Sequence, residues 1–177
     1  MPLKKNRPFQ KAQSKGTSSR NSAKPRAARR PASHAPPHTF NFNQPGDSLG
    51  VRYDNFLQAA SLVTAGLPTA AVARLQRTSG LTQERIQQVA GISKGSFARR
   101  KLKGRLSRDE SERLLRLSRL FERAAALYDG NPAGATEWLE TPIPALGNQR
   151  PLDLARTEPG AREVEDLIGR IEHGVVS

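Results

Sequence analysis

Ser107-Arg108-Asp109-Glu110 spells a capping box, Ser-x-x-Glu, and opens the longest helix this chain can form. The reason is local. The Ser hydroxyl accepts from the amide three residues on, and the Glu carboxylate reaches back to the Ser amide, so two amides that a helix start leaves unpaired are satisfied together. Downstream, Leu114, Leu117, Leu120, Phe121, Ala124, Ala125 and Leu127 recur at three and four and make a broad apolar stripe. Arg108, Arg113, Arg116, Arg119 and Arg123 lie mostly off it. A stripe this wide faces a core, so the other segments have to supply its cover.

They are helical too. "YDNFLQAASLVTAGLP" carries Phe56, Leu57, Ala60 and Val63 at helical spacing and stops at Gly66 and Pro68. "TAAVARLQRTSG" puts Ala71, Val72 and Leu75 on one face and is closed by Gly80. Thr82 caps a third helix with Glu84 in its first turn and Ile86, Val89 and Ala90 inward. Ser93 caps a fourth, "KGSFARRKLKG". After the long helix, "DGNPAG" breaks the chain, and Asn131 and Pro132 start a short helix bearing Ala135, Trp138 and Leu139. Thr157 opens the last, where Ala161, Val164, Leu167, Ile168 and Ile171 repeat before Gly174. No run alternates long enough to be a strand, so the predicted class is all-α.

Charge divides the chain into three. Residues 1–46 hold ten Lys or Arg and no acid; residues 47–128 carry a net +8; residues 129–177 hold four basic residues against nine acids. The first segment has no periodicity and too little apolar content to offset its ordering entropy, which predicts a disordered basic tail. Its use is either attraction to phosphate or plain solubility, and its Arg- and Ser-rich, acid-free composition also fits a transit peptide weakly. A basic tail, a basic middle and an acidic end suggest two different partners.

"LTQERIQQVAGISKGSFARRK", residues 81–101, is a helix, a tight turn at a Gly and a second helix. In a helix-turn-helix the second helix enters the major groove with its N-terminal residues on the base edges. Lys94, Ser96, Ala98 and Arg99 are the outward candidates; Arg100, Lys101, Lys103 and Arg105, in the last turn or just beyond, suit phosphates. Gly95 and Gln87 count against the motif, the first as a weak helix former and the second because a small residue is usual there. The alternative is an ordinary helical hairpin with a solvated basic face.

This half resembles the Xre-like helix-turn-helix regulators. "GLP", "SFARRKLKGRLSRDESERLLRLSRL", "WLETPIPALGNQRPLDLA" and "EVEDLIGRIEHGV" then resemble, in order, the signatures of the ParS/MbcA group of Xre-type antitoxins, over roughly residues 55–175. The resemblance implies a helix-turn-helix DNA-binding domain at 47–128 and a small helical toxin-binding domain at 129–177. It implies binding to the operator DNA of the protein's own operon and neutralisation of a cognate toxin, usually the RES type that degrades NAD. The matching C-terminal residues are Trp138, Leu139, Pro142, Leu146, Gly147, Pro151, Leu152, Val164, Ile171 and Gly174. Asn148 departs from a second Gly often found after Leu-Gly, although Asn also tolerates a left-handed backbone. The tail "HGVVS" lacks an aromatic that relatives often carry. By analogy the chain's end comes closest to the toxin, which makes Arg170, Glu172, His173, Gly174, Val175, Val176 and Ser177 the candidate contacts. From the residues alone, Trp138 and Leu139 are core or interface, and Arg170 and Glu172 are docking groups or plain surface charge.

The absence of cysteine excludes disulfides, Cys-bound zinc and thiol catalysis. His34 and His38 are spaced like metal ligands but sit in a Pro-rich stretch without a third ligand, and "AGATEW" lacks the Lys of a phosphate loop. No cofactor, metal or enzymatic activity is expected. The longest apolar stretch is too short and too polar to span a membrane, and the expected location is the cytoplasm. A homodimer is expected over two half-sites, with the long helix from Ser107 to Tyr128 as the candidate contact. Two other readings stay open: a stand-alone regulator whose C-terminal part only dimerises, and an adaptor that no longer reads DNA.

Overall fold

The structure, a computed structural model, describes residues 44–174. After a 3-10 turn at Asp47–Leu49, its helices are α1 (Phe56–Ala65), α2 (Ala70–Ser79), α3 (Gln83–Val89), α4 (Lys94–Lys103), α5 (Arg108–Leu127), α6 (Pro132–Glu140), α7 (Pro151–Leu154) and α8 (Glu158–Glu172), with a second 3-10 turn at Pro144–Leu146 before α7. The described residues contain no strand, only two isolated bridges, Pro68 with Arg105 and Ile143 with Gln149. The predicted basic tail and His34 and His38 lie outside the described residues.

Helix starts follow the local chemistry. Asn55, Thr82, Ser93, Asn131 and Thr157 each accept a backbone amide from the first turn that follows. Both halves of the Ser107/Glu110 capping box are formed, with Ser107 N–H donating to the Glu110 carboxylate at 2.7 Å. Burial pushes the Glu110 carboxyl up, but the Ser107 amide and hydroxyl and the Arg100 guanidinium outweigh it and hold the group below its ordinary value.

α5 is the spine. It packs against α6, α8 and α1, and Leu114, Leu117, Leu120, Phe121, Ala124 and Ala125 are all fully buried. One cluster of buried apolar residues runs from Leu49 through α5 to Ile168, so both halves of the chain share this core. Arg116 differs from the expected off-stripe position: only 9 % of its side chain is exposed, between Glu112 and, at 3.0 Å, Glu158. α1 also differs. Its packed residues are Ala59, Leu62 and Val63, whereas Phe56 and Leu57 are 84 % and 81 % exposed and Ala60 is exposed. The helix is apolar on more than one side, and contact with α5 selects the side.

The turn at 46–48 is held by Glu122 of α5, which accepts from the Ser48 hydroxyl, the Ser48 amide at 2.9 Å and the Gly46 amide at 3.1 Å. Burial raises the Glu122 pKa above its ordinary value against the opposing pull of those donors. This clamp fixes where the described chain enters the helical body.

Candidate functional site

The α3-turn-α4 unit is seated from below. Ile86 and Val89 of α3, Ile92 in the turn and Phe97 of α4 are buried, and Gly91 takes the left-handed conformation (φ 63°) that the tight turn needs. Arg113 of α5 donates to the Ala90 carbonyl at 2.6 Å and locks the turn to the spine. Gln87 is buried, 5 % exposed, so the position where a small residue is usual accommodates this one inside the fold.

On α4 the candidate DNA residues separate into two kinds. Lys94, Ala98, Arg99, Lys101 and Lys103 are exposed, and Ser96 is half-buried with its hydroxyl on Ser93 at 2.9 Å. Arg99 reaches only Ser96, at 3.4 Å, and Lys101 lies 5.1 Å over the Phe97 ring. Arg100 and Arg105 are tied to the fold instead: Arg100 donates to Glu110 at 2.8 Å, and Arg105 donates to the Gly66 carbonyl at 2.7 Å. Lys94, Arg99 and Lys103 therefore form a cationic surface that no carboxylate of the described residues neutralises.

The C-terminal half is built around the segment 138–155. Leu139 and Leu152 are fully buried, Leu146 and Pro151 are buried, and Trp138 is partly buried against the same core. Gly147 and Asn148 are consecutive left-handed residues (φ 64° and 59°), and the Asn148 amide donates back to the Ile143 carbonyl at 3.0 Å. Asn148 thus keeps the turn that a Gly would make. α8 runs alongside α5, with Glu158, Glu165 and Glu172, spaced by seven, meeting Arg116, Arg119 and Arg123 at 3.0, 3.0 and 3.4 Å. Part of the acidic charge of the C-terminal half is accordingly spent inside the molecule. Of the candidate partner contacts, Arg170 is exposed and 3.4 Å from Glu163, Glu172 is half engaged with Arg123, His173 caps α8, and Gly174 turns the chain with φ 68°. Val175, Val176 and Ser177 lie outside the described residues.

One linking residue has no signal in the sequence. Arg85 of α3, 15 % exposed, meets Glu140 at the end of α6 at 2.9 Å and Asp153 of α7 at 2.8 Å. Burial works against its charge, and the two carboxylates outweigh burial and leave its pKa above the ordinary value. Thr136 of α6 adds a hydrogen bond to the Ser79 carbonyl at 2.7 Å. We expect Arg85→Ala to lower stability by about 1–2 kcal/mol, less than the roughly 3–5 kcal/mol of a fully buried pair because both carboxylates keep solvent access. Urea denaturation checks this, and an unchanged midpoint would deny Arg85 its linking role.

Among the described residues no group of three or more His, Cys, Asp or Glu is placed to hold a metal, and no helix is long and apolar enough to cross a membrane.

Residues 58–119 match the family model described as the antitoxin Xre-like helix-turn-helix domain, and residues 123–174 match that of the antitoxin Xre/MbcA/ParS C-terminal toxin-binding domain. A protein of Photorhabdus laumondii subsp. laumondii named Antitoxin Xre is 35 % identical over 143 residues, covering 80 % of this chain and 97 % of that protein. A second Antitoxin Xre, from Yersinia enterocolitica, is 42 % identical over 100 residues, 56 % of this chain and 68 % of that protein. A Sphingobium protein named Prs ADP-ribosylating antitoxin is 31 % identical over 77 residues, 39 % of this chain and 48 % of that protein. With both domains matched in order on a helical body that places a capped, basic α4 on its surface, the chain belongs to the Xre family of antitoxins, a helix-turn-helix domain followed by a toxin-binding domain.

Proposed function

We propose that this antitoxin binds the operator DNA of its own operon through α4 and neutralises a RES-type, NAD-degrading toxin encoded beside it through α8 and the residues that follow. The observation that carries the reading is the surface of α4: a capped helix seated by Phe97, with Lys94, Arg99 and Lys103 exposed and unneutralised. Phosphate binding by such cations is the electrostatic basis of DNA affinity. A toxin that uses NAD is supported by the Sphingobium relative, whose name joins an antitoxin to ADP-ribosylation, a reaction in which NAD is the donor. The antitoxin itself acts by occupancy rather than by catalysis. Arg170, Glu172, His173 and Gly174 present the end of α8 as the docking edge, and Val175, Val176 and Ser177 are assigned to the same contact.

The protein works as a dimer in this reading, because two half-sites lie about 34–36 Å apart on DNA. The apolar stripe of α5 is buried within the chain and is not available to a second copy. Uncharged α1, with Phe56 and Leu57 exposed, offers the apolar area instead. Sedimentation equilibrium reads this directly, and a monomer at every concentration removes the dimer.

Co-expression with the adjacent reading frame tests the rest. The two proteins are expected to copurify, with cellular NAD preserved. Deleting residues 173–177 is expected to release NAD loss and growth arrest while DNA binding stays intact. A neighbour that neither copurifies nor depletes NAD returns the protein to a stand-alone regulator.

A further inference from the structure

α4 carries a surface feature that phosphate binding does not use. Leu102 is 90 % exposed, more than any other large apolar side chain described. On a helix of 3.6 residues per turn, Gly95, Arg99 and Leu102 lie opposite the buried Phe97, with Lys103 at one edge of that side and Ala98 at the other. Gly95, Ala98 and Leu102 carry no charge, and a Cβ built on Gly95 meets nothing within 4 Å, so neither packing nor backbone conformation requires a Gly there. The outward side therefore carries an uncharged strip of Gly95, Ala98 and Leu102, with Arg99 and Lys103 along one edge and Lys94 along the other.

An apolar strip between two cationic edges suits few surfaces. A second copy presenting the same helix would bring like charges together, and an apolar protein groove would leave the lysines without counter-charge. The major groove of DNA supplies both needs, since phosphates line its edges and the thymine C5-methyl is the one apolar group on its floor.

Resting on the DNA-binding reading above, we propose that α4 reads thymine methyl groups, with Ala98 and Leu102 as the apolar contacts and Gly95 permitting the close approach. Operator half-sites then contain thymines under this strip, and Leu102 is a specificity-determining residue.

The test removes only the methyls. The intergenic DNA immediately upstream of this reading frame is amplified once with dTTP and once with dUTP, and full-length wild type and Leu102→Ala are titrated against both duplexes at one fixed salt concentration. Wild type is expected to bind the thymine duplex about fourfold more tightly for each methyl contacted, from roughly 0.8 kcal/mol per buried carbon group. Leu102→Ala is expected to bind the two duplexes with a smaller ratio while melting at the wild-type temperature, since Leu102 is almost fully exposed. Equal wild-type affinity for both duplexes overturns the proposal and leaves DNA binding standing. An undiminished thymine preference in Leu102→Ala also overturns it, because the preference then arises from DNA shape or another residue. Wild type failing to bind either duplex defeats the DNA-binding reading itself. A changed sedimentation coefficient for Leu102→Ala, with no thymine preference in wild type, assigns the side chain to a protein contact and overturns the proposal.

Discussion

Lys94→Ala combined with Arg99→Ala is expected to lower affinity for the upstream DNA by about two orders of magnitude or more and to leave the melting temperature unchanged. Each contact to DNA is worth about 1–3 kcal/mol, and a dimer loses two from each half-site. Stability is spared because both side chains are exposed, Lys94 at the first position of α4 and Arg99 on its outward side, and neither is paired with a carboxylate. The choice of residues matters. Arg100→Ala is a poorer probe, since it strips a partner from Glu110, whose other bonds close the capping box of α5. A loss of DNA binding in that variant would mix a broken helix start with a lost contact. Gel-shift titration alongside thermal melting separates the two, and undiminished binding by the Lys94/Arg99 double variant would take α4 off the DNA.

Gly160→Ala is expected to destabilise the protein by about 1–2 kcal/mol despite exchanging a poor helix former for the best one. A Cβ at Gly160 would lie 2.2 Å from the Leu154 carbonyl oxygen and 2.9 Å from its carbon. Both are backbone atoms, and the same carbonyl already accepts from the Thr157 amide at 3.1 Å, so it has little freedom to retreat. Overpacking of this kind costs about 1–3 kcal/mol or more, against up to roughly 1 kcal/mol of helix propensity gained. The corner between α7 and α8 must open, which disturbs the alignment of Glu158, Glu165 and Glu172 with the α5 arginines. Gly95→Ala is the matched control: it meets nothing, and its expected effect on stability is neutral or favourable by up to about 1 kcal/mol. Equal melting temperatures for Gly160→Ala and wild type would show that the corner yields freely.

Much of the helical order is legible in the sequence. Asn131 with Pro132, Thr82, Ser93, Thr157 and the Ser107/Glu110 box all stand where helices begin, because a cap bond spans only two or three residues. The seating of α4 was legible as well, since Ile86, Val89, Ile92 and Phe97 recur at helical spacing on either side of a Gly turn. α1 was legible only as a helix. Its apolar residues leave two orientations open, and Phe56, the bulkiest on it, faces solvent together with Leu57. The charge asymmetry was legible only as a total. Five acids of the C-terminal half, Glu140, Asp153, Glu158, Glu165 and Glu172, pair with arginines of the preceding half, so the surfaces left for partners differ from what segment charges suggest.

By itself, then, the sequence determined where helices start and stop and that a basic helix follows a tight turn, since caps, glycine turns and helical spacing act over a few residues. The tertiary structure alone decided which side of α1 is covered, that Arg85 joins α3 to α6 and α7, that Glu122 clamps the 46–48 turn, and which cations of α4 remain free. Each of these is a pairing between residues far apart in the chain or a choice between chemically similar faces. Packing against α5 makes the choice, because burying one face rather than another changes the free energy only once the neighbouring helix is in place.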